Sequence, residues 1–191
     1  MSVKLAEPPL KVRELQTDRL RLRLIGEDEI DFLQTCSSDP RIALGMGMLV
    51  PYPEGKAAEW VRKKLPRRLE EGEGFGYVAV LRDTGERIGC LGCNLVLYHS
   101  RATLWYWMNV PFWGKGYCTE AATALVEYLF GEVGVNRVEA LHHVSNPASG
   151  SVMRKLGMKP EALLRRYSHR GGAYVDSWMY ATFQDQWPPV S

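Results

Sequence analysis

A chain of 191 residues, 46% hydrophobic and 24% charged, can enclose one substantial core and is expected to form a single domain over residues 1–191. Its 24 basic and 22 acidic residues leave a formal charge of +2, which excludes a global electrostatic drive toward nucleic acid or a membrane surface. Any anion site has to be local.

The opening segment "MSVKLAEPPLKVRE", residues 1–14, reads as an extended or disordered tail without the apolar run of a signal peptide. No later segment approaches the ~20 apolar residues that span a bilayer, so a cytoplasmic protein is predicted. "RLRLRLI" alternates Arg19, Arg21 and Arg23 with Leu20, Leu22 and Leu24, the period-two pattern of a half-buried strand. From Glu27, "EDEIDFLQTC" spaces Ile30, Leu33 and Cys36 as a helix does, with acids at its start where the dipole favours them. "DPRIALGMGMLVPYPEG", Asp39 to Gly55, is rich in proline and glycine and reads as a loop with a helical turn, a candidate substrate lid. "KAAEWVRKKLPRRLEEGEG" follows as a helix that Pro66 should kink or split, its basic cluster reading as a solvated face rather than a nucleic-acid platform.

Three apolar and aromatic runs, "FGYVAVLRD", "RIGCLGCNLVLY" and "ATLWYWMNV", are separated by turn residues and predict an antiparallel meander. After a glycine stretch, "TEAATALVEYLFGEVG" sets Leu125, Tyr128 and Leu129 on one helix face and ends at glycine. "NRVEALHHV" reads as a strand, "NPASGSVMRKLG" as a short helix, and the remainder as two strands around "HRGGAY". The prediction is an α+β layer structure.

The four cysteines, Cys36, Cys90, Cys93 and Cys118, are too few and scattered for a disulfide framework and predict reduced thiols. Cys90 and Cys93 in "CLGC" point to opposite faces if their run is a strand, which favours a core role over a metal or redox pair. His142 and His143 diverge for the same reason, and no metal is implied.

"PFWGKGYCTEA" is the chemically informative stretch. Gly114 and Gly116 lie between a strand and a helix, where glycine lets backbone approach a ligand and bare helix N–H groups favour an anion. A P-loop would need Ser or Thr after Lys115, and a dinucleotide fingerprint would need a small residue at Thr119, so neither fits.

Together with "NPASGSVMRKLGM", "LQTDRLRLRL", "RIG" and "RRYSHRGGAYVDSWMY", this stretch resembles the GNAT N-acetyltransferases, in particular the RimJ/RimL type, over roughly Leu15 to Trp187. The resemblance implies a central, mixed, mostly antiparallel twisted sheet of about six to seven strands flanked by about four helices. It further implies acetyl-CoA as co-substrate and an amine acceptor, a peptide N-terminus or a small amine. The pyrophosphate loop would fall on Trp113, Gly114, Lys115, Gly116, Tyr117 and Cys118, continuing to Thr119, with Trp113 and Cys118 departing from the superfamily pattern. Backbone of Met108, Asn109 and Val110 would pair with pantetheine. Asn146 would bond the bound cofactor and Ser149 would protonate the leaving thiolate, although both residues also suit a helix cap.

Two glutamates common in relatives are absent: Thr103 and Ser168 stand at those positions. Missing bases tilt the acceptor toward an α-amine, whose pKa of about 7.7–8.0 leaves it partly neutral near pH 7. Ordered water, assisted by His142, His143 or Tyr167, would take the proton. Trp105, Trp107 and Trp113 could line an acceptor pocket, but aromatics on adjacent strands more often belong to a core, and that reading is kept. A coenzyme-binding sensor without catalysis, a transferase of a larger acyl group, and monomer or homodimer all stay open.

Overall fold

The computed structural model describes residues 7–170 and 172–188. Among these residues eight strands form one sheet in the order β1-β2-β3-β4-β5-β6-β8-β7. They are β1 (Leu15–Gln16), β2 (Leu20–Leu24), β3 (Gly74–Leu81), β4 (Arg87–Val96), β5 (Arg101–Met108), β6 (Arg137–His143), β7 (Lys159–Arg170) and β8 (Ala173–Phe183). Every pairing is antiparallel except β5 with β6. The strand beyond the expected count is β1, whose two residues are too short to show a period.

Between β2 and β3 lie α1 (Ile30–Ser37), α2 (Pro40–Met46), α3 (Lys56–Glu59), a π-helical turn (Trp60–Lys64) and α4 (Leu65–Glu70). Helix α2 occupies part of the segment read as a loop. Asp39 caps it by accepting the Arg41 N–H at 2.9 Å, Pro40 opens it, and Gly47 closes it at φ 72°. Pro66 sits in the first turn of α4, and the π turn upstream absorbs the disruption its missing N–H imposes. On the other face of the sheet, α5 (Tyr117–Tyr128) runs into a second π turn (Leu129–Val133), and α6 (Pro147–Lys155) follows β6.

Strand alternation divides the core in two. Leu20, Leu22, Phe75, Tyr77, Leu91, Leu104 and Met108 pack toward α5 and α6, whereas Val78, Val80, Cys90 and Trp107 pack toward α1–α4. Cys90 and Cys93 therefore belong to opposite faces, and burial pushes the Cys93 thiol up to about 12. Of the N-terminal tail, residues 1–6 lie outside the described residues. Its described part is tied down: Tyr77 donates to the Arg13 carbonyl at 2.7 Å, Tyr128 to the Lys11 carbonyl at 3.1 Å, and Arg13 pairs with Glu132. Among the described residues no helix is long and apolar enough to cross a membrane.

Candidate active site

The parallel pair opens partway along. β5 and β6 are in register only from Arg101 opposite Arg137 to Leu104 opposite Ala140. Beyond that point β5 stays with β4 as far as Met108, and β6 stays with β8 as far as His143. A cleft with two unpaired strand edges results. The Asn109 N–H donates to Ile88 at 2.7 Å on the β4 side, so alternation turns the backbone groups of Tyr106 and Met108 into the cleft. There the Met108 carbonyl accepts the Trp113 indole N–H at 2.6 Å. Val110 has its N–H bonded to the Asn109 side chain at 3.0 Å.

Glycine is required at the turn out of β5, because Gly114 and Gly116 adopt φ of 74° and 81°. A Cβ on Gly114 would meet nothing within 4 Å, so open space faces the loop. Gly116 is the N-cap of α5, no described side chain caps that helix, and its first backbone bond runs from the Glu120 N–H to the Gly116 carbonyl at 3.0 Å. The N–H groups of Tyr117, Cys118 and Thr119 consequently have no acceptor within the helix. Lys115 places its ammonium 5.3 Å from the Phe112 ring, and burial pushes the Cys118 thiol up to about 12. The arrangement is a cradle for an anion, with helix dipole and bare N–H groups acting together.

Glu120 locks the cradle to the start of the sheet. It accepts Thr17 Oγ1 at 2.5 Å, the Arg19 N–H at 2.9 Å and Arg19 Nε at 2.6 Å, while Arg19 also bonds the Lys115 carbonyl at 3.2 Å. Burial opposes its ionisation, but these bonds outweigh it and hold the carboxyl below its ordinary value. A depressed carboxylate stabilises the fold above its unfolded pKa and loses that contribution as pH falls through the folded one. Glu120→Gln is therefore expected to cost about 1–2 kcal/mol at pH 7, or about 4 °C in Tm, with the deficit shrinking toward pH 3. Thermal denaturation at both pH values checks it; an equal deficit at the two would remove the ionic contribution.

Across the cleft, α6 begins at Asn146, whose Oδ1 accepts the Ser149 N–H at 3.3 Å. Ser149 Oγ meets the hydroxyl of Tyr106 at 3.1 Å, and that hydroxyl also donates to the Ser149 carbonyl at 3.2 Å. Burial, with the Cys118 thiol beside it, pushes the Tyr106 phenol well above its ordinary value. The two histidines separate as alternation requires. His142 lies under α6, its ring 5.5 Å from Tyr180 and Nε2 turned toward Gly150. His143 faces the other way, Nδ1 3.3 Å from Ser177 Oγ; burial first, then Arg170 and His142, lower its pKa. Arg170 reaches over from β7 to donate to the Leu44 carbonyl at 2.5 Å. At the positions of the missing glutamates, Thr103 bonds Glu139 at 3.0 Å, a carboxylate already held by Arg137 at 2.8 Å, and Ser168 pairs with Val175 in the final hairpin.

On the α1–α4 face a cavity of about 410 Å³ adjoins β5, with Trp105, Trp107, Trp60 and Tyr52 in its wall and Gly47 at its edge. Trp60 meets Trp105 edge-on at 5.9 Å, and Phe32 stacks on Trp107 at 5.8 Å. Trp105 and Trp107 are thus wall as well as core.

The family model described as "Acetyltransferase (GNAT) domain" matches residues 19–159. The chain belongs to the GNAT acetyltransferases. It is 28% identical over 174 residues to an uncharacterized N-acetyltransferase, p20, of Bacillus licheniformis, covering 91% of this chain and 97% of that one. It is 27% identical over 187 residues to the [ribosomal protein uS5]-alanine N-acetyltransferase of Escherichia coli, covering 94% of each. RimL, a ribosomal L7/L12 α-N-protein acetyltransferase solved in complex with coenzyme A, superimposes with a TM-score of 0.82 at 19% identity, over 90% of this chain and 98% of that one; at such identity the likeness is one of fold. The RimJ/RimL-type GNAT assignment read from the sequence agrees with these relatives.

In this GNAT fold the residues expected at the site gather around one cleft, the loop residues on one side and Asn146 with Ser149 on the other. Sequence reasoning missed Tyr106, Glu120 and Arg170. Glu120 had a readable signal, an acid in the first turn after the glycines, but Tyr106 and Arg170 matter only through partners 43 and 126 residues away.

Proposed function

We propose that the chain transfers an acetyl group from acetyl-CoA directly to a primary amine, a protein N-terminal α-amine, within a ternary complex. The observation that carries this reading is the uncapped, glycine-lined N-terminus of α5 standing beside the opened β5–β6 pair. The donor would supply a thioester carbonyl that the neutral amine attacks, forming a C–N bond as the C–S bond breaks. Backbone N–H groups of Gly114 to Thr119 would hold the pyrophosphate, and the Met108 edge would run beside pantetheine. Ser149 Oγ–H would donate to the departing sulfur. His143, kept neutral near pH 7, would accept the amine proton through water. Four unpaired cysteines fit a reducing cytoplasm, and one sheet running from Leu15 to Phe183 supports a single domain.

Calorimetric titration with acetyl-CoA, followed by thiol release in the presence of peptide α-amines, tests the reading. Saturable binding without release on any amine would leave only a coenzyme-binding protein. For His143→Gln we expect kcat/KM about tenfold lower at pH 7. In the wild type His143 protonates below the ordinary imidazole value of about 6.5, adding an acid limb that the variant lacks. The limb from the acceptor amine, near about 8, should persist in both. Identical profiles would exclude His143 as the proton acceptor.

A further inference from the structure

The lining of the cavity on the α1–α4 face has one sign. Its charged members are Lys56, Lys64 and Arg68, and none of its described lining residues is an aspartate or glutamate. A carboxylate does stand behind them: Glu59 accepts Lys56 Nζ at 2.9 Å and Lys64 Nζ at 3.4 Å. It is one anion shared between two cations. Among the described residues Arg68 is held by neutral oxygens alone, donating to Asn94 at 2.7 Å and to the Glu73 carbonyl at 2.8 Å. The cavity therefore carries net positive charge beside its aromatic wall, with Arg68 fixed at one end by Asn94, which repels a polyamine and suits an acceptor that is apolar near its amine and anionic farther along.

Register fixes which end is which. Trp107 lies at the opened end of β5, where its neighbour Tyr106 reaches Ser149 on the far face. Gly47 on the cavity edge abuts the Arg170 guanidinium, and two residues earlier Gly45 abuts the Asn146 side chain. Asn94, the partner of Arg68, sits opposite Thr103, four residues back along β5 from Trp107. At ~3.4 Å per residue the Arg68 end is ~14 Å from Trp107, the reach of about four extended residues.

Resting on the acetyltransferase reading above, we infer that this cavity selects the acceptor: a peptide N-terminus with apolar or aromatic leading residues and an acidic side chain at the third or fourth position. The α-amine sits at the Trp107 end and the carboxylate meets Lys64 and Arg68. Lys56 and Lys64 are partly exposed side chains on the π turn and its flank, so exchanging them leaves the core intact.

The test compares the peptides Phe-Ala-Ala-Glu, Phe-Ala-Ala-Gln and Phe-Ala-Ala-Lys, with spermidine, in the wild type and in Lys56→Glu/Lys64→Glu. kcat/KM is read by thiol release, and peptide Kd by calorimetry on protein saturated with coenzyme A. In the wild type we expect the Glu peptide to show at least tenfold higher kcat/KM and at least tenfold lower Kd than the Lys peptide, a preference that inverts in the variant while acetyl-CoA affinity is unchanged. Equal use of the Glu and Lys peptides, or preference for the Lys peptide or spermidine, overturns the inference. If acetyl-CoA binds but no amine is turned over, the catalytic reading fails by itself, and peptide Kd still decides: tenfold tighter Glu peptide supports the cavity's selectivity and equal Kd values refute it.

Discussion

Gly116→Trp is expected to abolish acetyl-CoA binding, raising Kd more than 100-fold, while the protein stays folded. Two effects combine. Gly116 sits at φ 81°, a region that costs an L-residue roughly 1–2 kcal/mol, and a Cβ there already stands 3.4 Å from Arg19 Nη2. An indole at that point pushes Arg19 off Glu120 and covers the bare N–H groups of the first turn of α5. The strain should lower Tm by roughly 2–8 °C, too little to unfold the protein at 25 °C. Gly85→Ala supplies the control: Gly85 has φ 73° with nothing within 4 Å of a Cβ, and it lies in the β3–β4 turn. It should show similar strain and normal binding. Wild-type affinity in Gly116→Trp would move the coenzyme away from this cradle.

The elements that sequence patterns revealed are those with a period to reveal. Leu20 and Leu22 are fully buried while Arg21 between them is exposed, and the meander of β3, β4 and β5 falls where its apolar runs lie. The glycine pair was readable because a strand-to-helix junction needs it. Helix α2 was obscured because Gly45, Gly47, Pro51 and Pro53 outweigh Asp39-Pro40, a start signal that the Asp39 cap makes effective. Alternation correctly put Trp105 and Trp107 on one face, but whether that face is core or cavity depends on how α3 and the segment after Gly47 pass over it. That is a tertiary fact with no local pattern. The same holds for Tyr106, which reads as a half-buried strand residue until β5 parts from β6 and brings Ser149 opposite.

Ser149→Ala should lower kcat 10–100-fold with Kd for acetyl-CoA changed less than threefold. The substitution is structurally mild, because the helix cap is Asn146 Oδ1 on the Ser149 backbone N–H, which alanine retains. Tyr106 keeps an acceptor in the Ser149 carbonyl, so its buried hydroxyl is not left unpaired. What disappears is the hydroxyl facing the cleft. When the Tyr106 phenol, kept protonated by burial, turns its one proton from the Ser149 carbonyl to Ser149 Oγ, the serine proton is free to turn toward the leaving sulfur. Tyr106→Phe should accordingly cost about tenfold in kcat. If Tyr106 acts through Ser149, Phe added to the Ala variant should change kcat little further, whereas independent roles would multiply. Asn146→Ala separates structure from chemistry, since loss of the cap costs about 1 kcal/mol and a few degrees in Tm. A Ser149→Ala protein that turns over at the wild-type rate would remove Ser149, and Tyr106 with it, from the proton path and leave water as the donor.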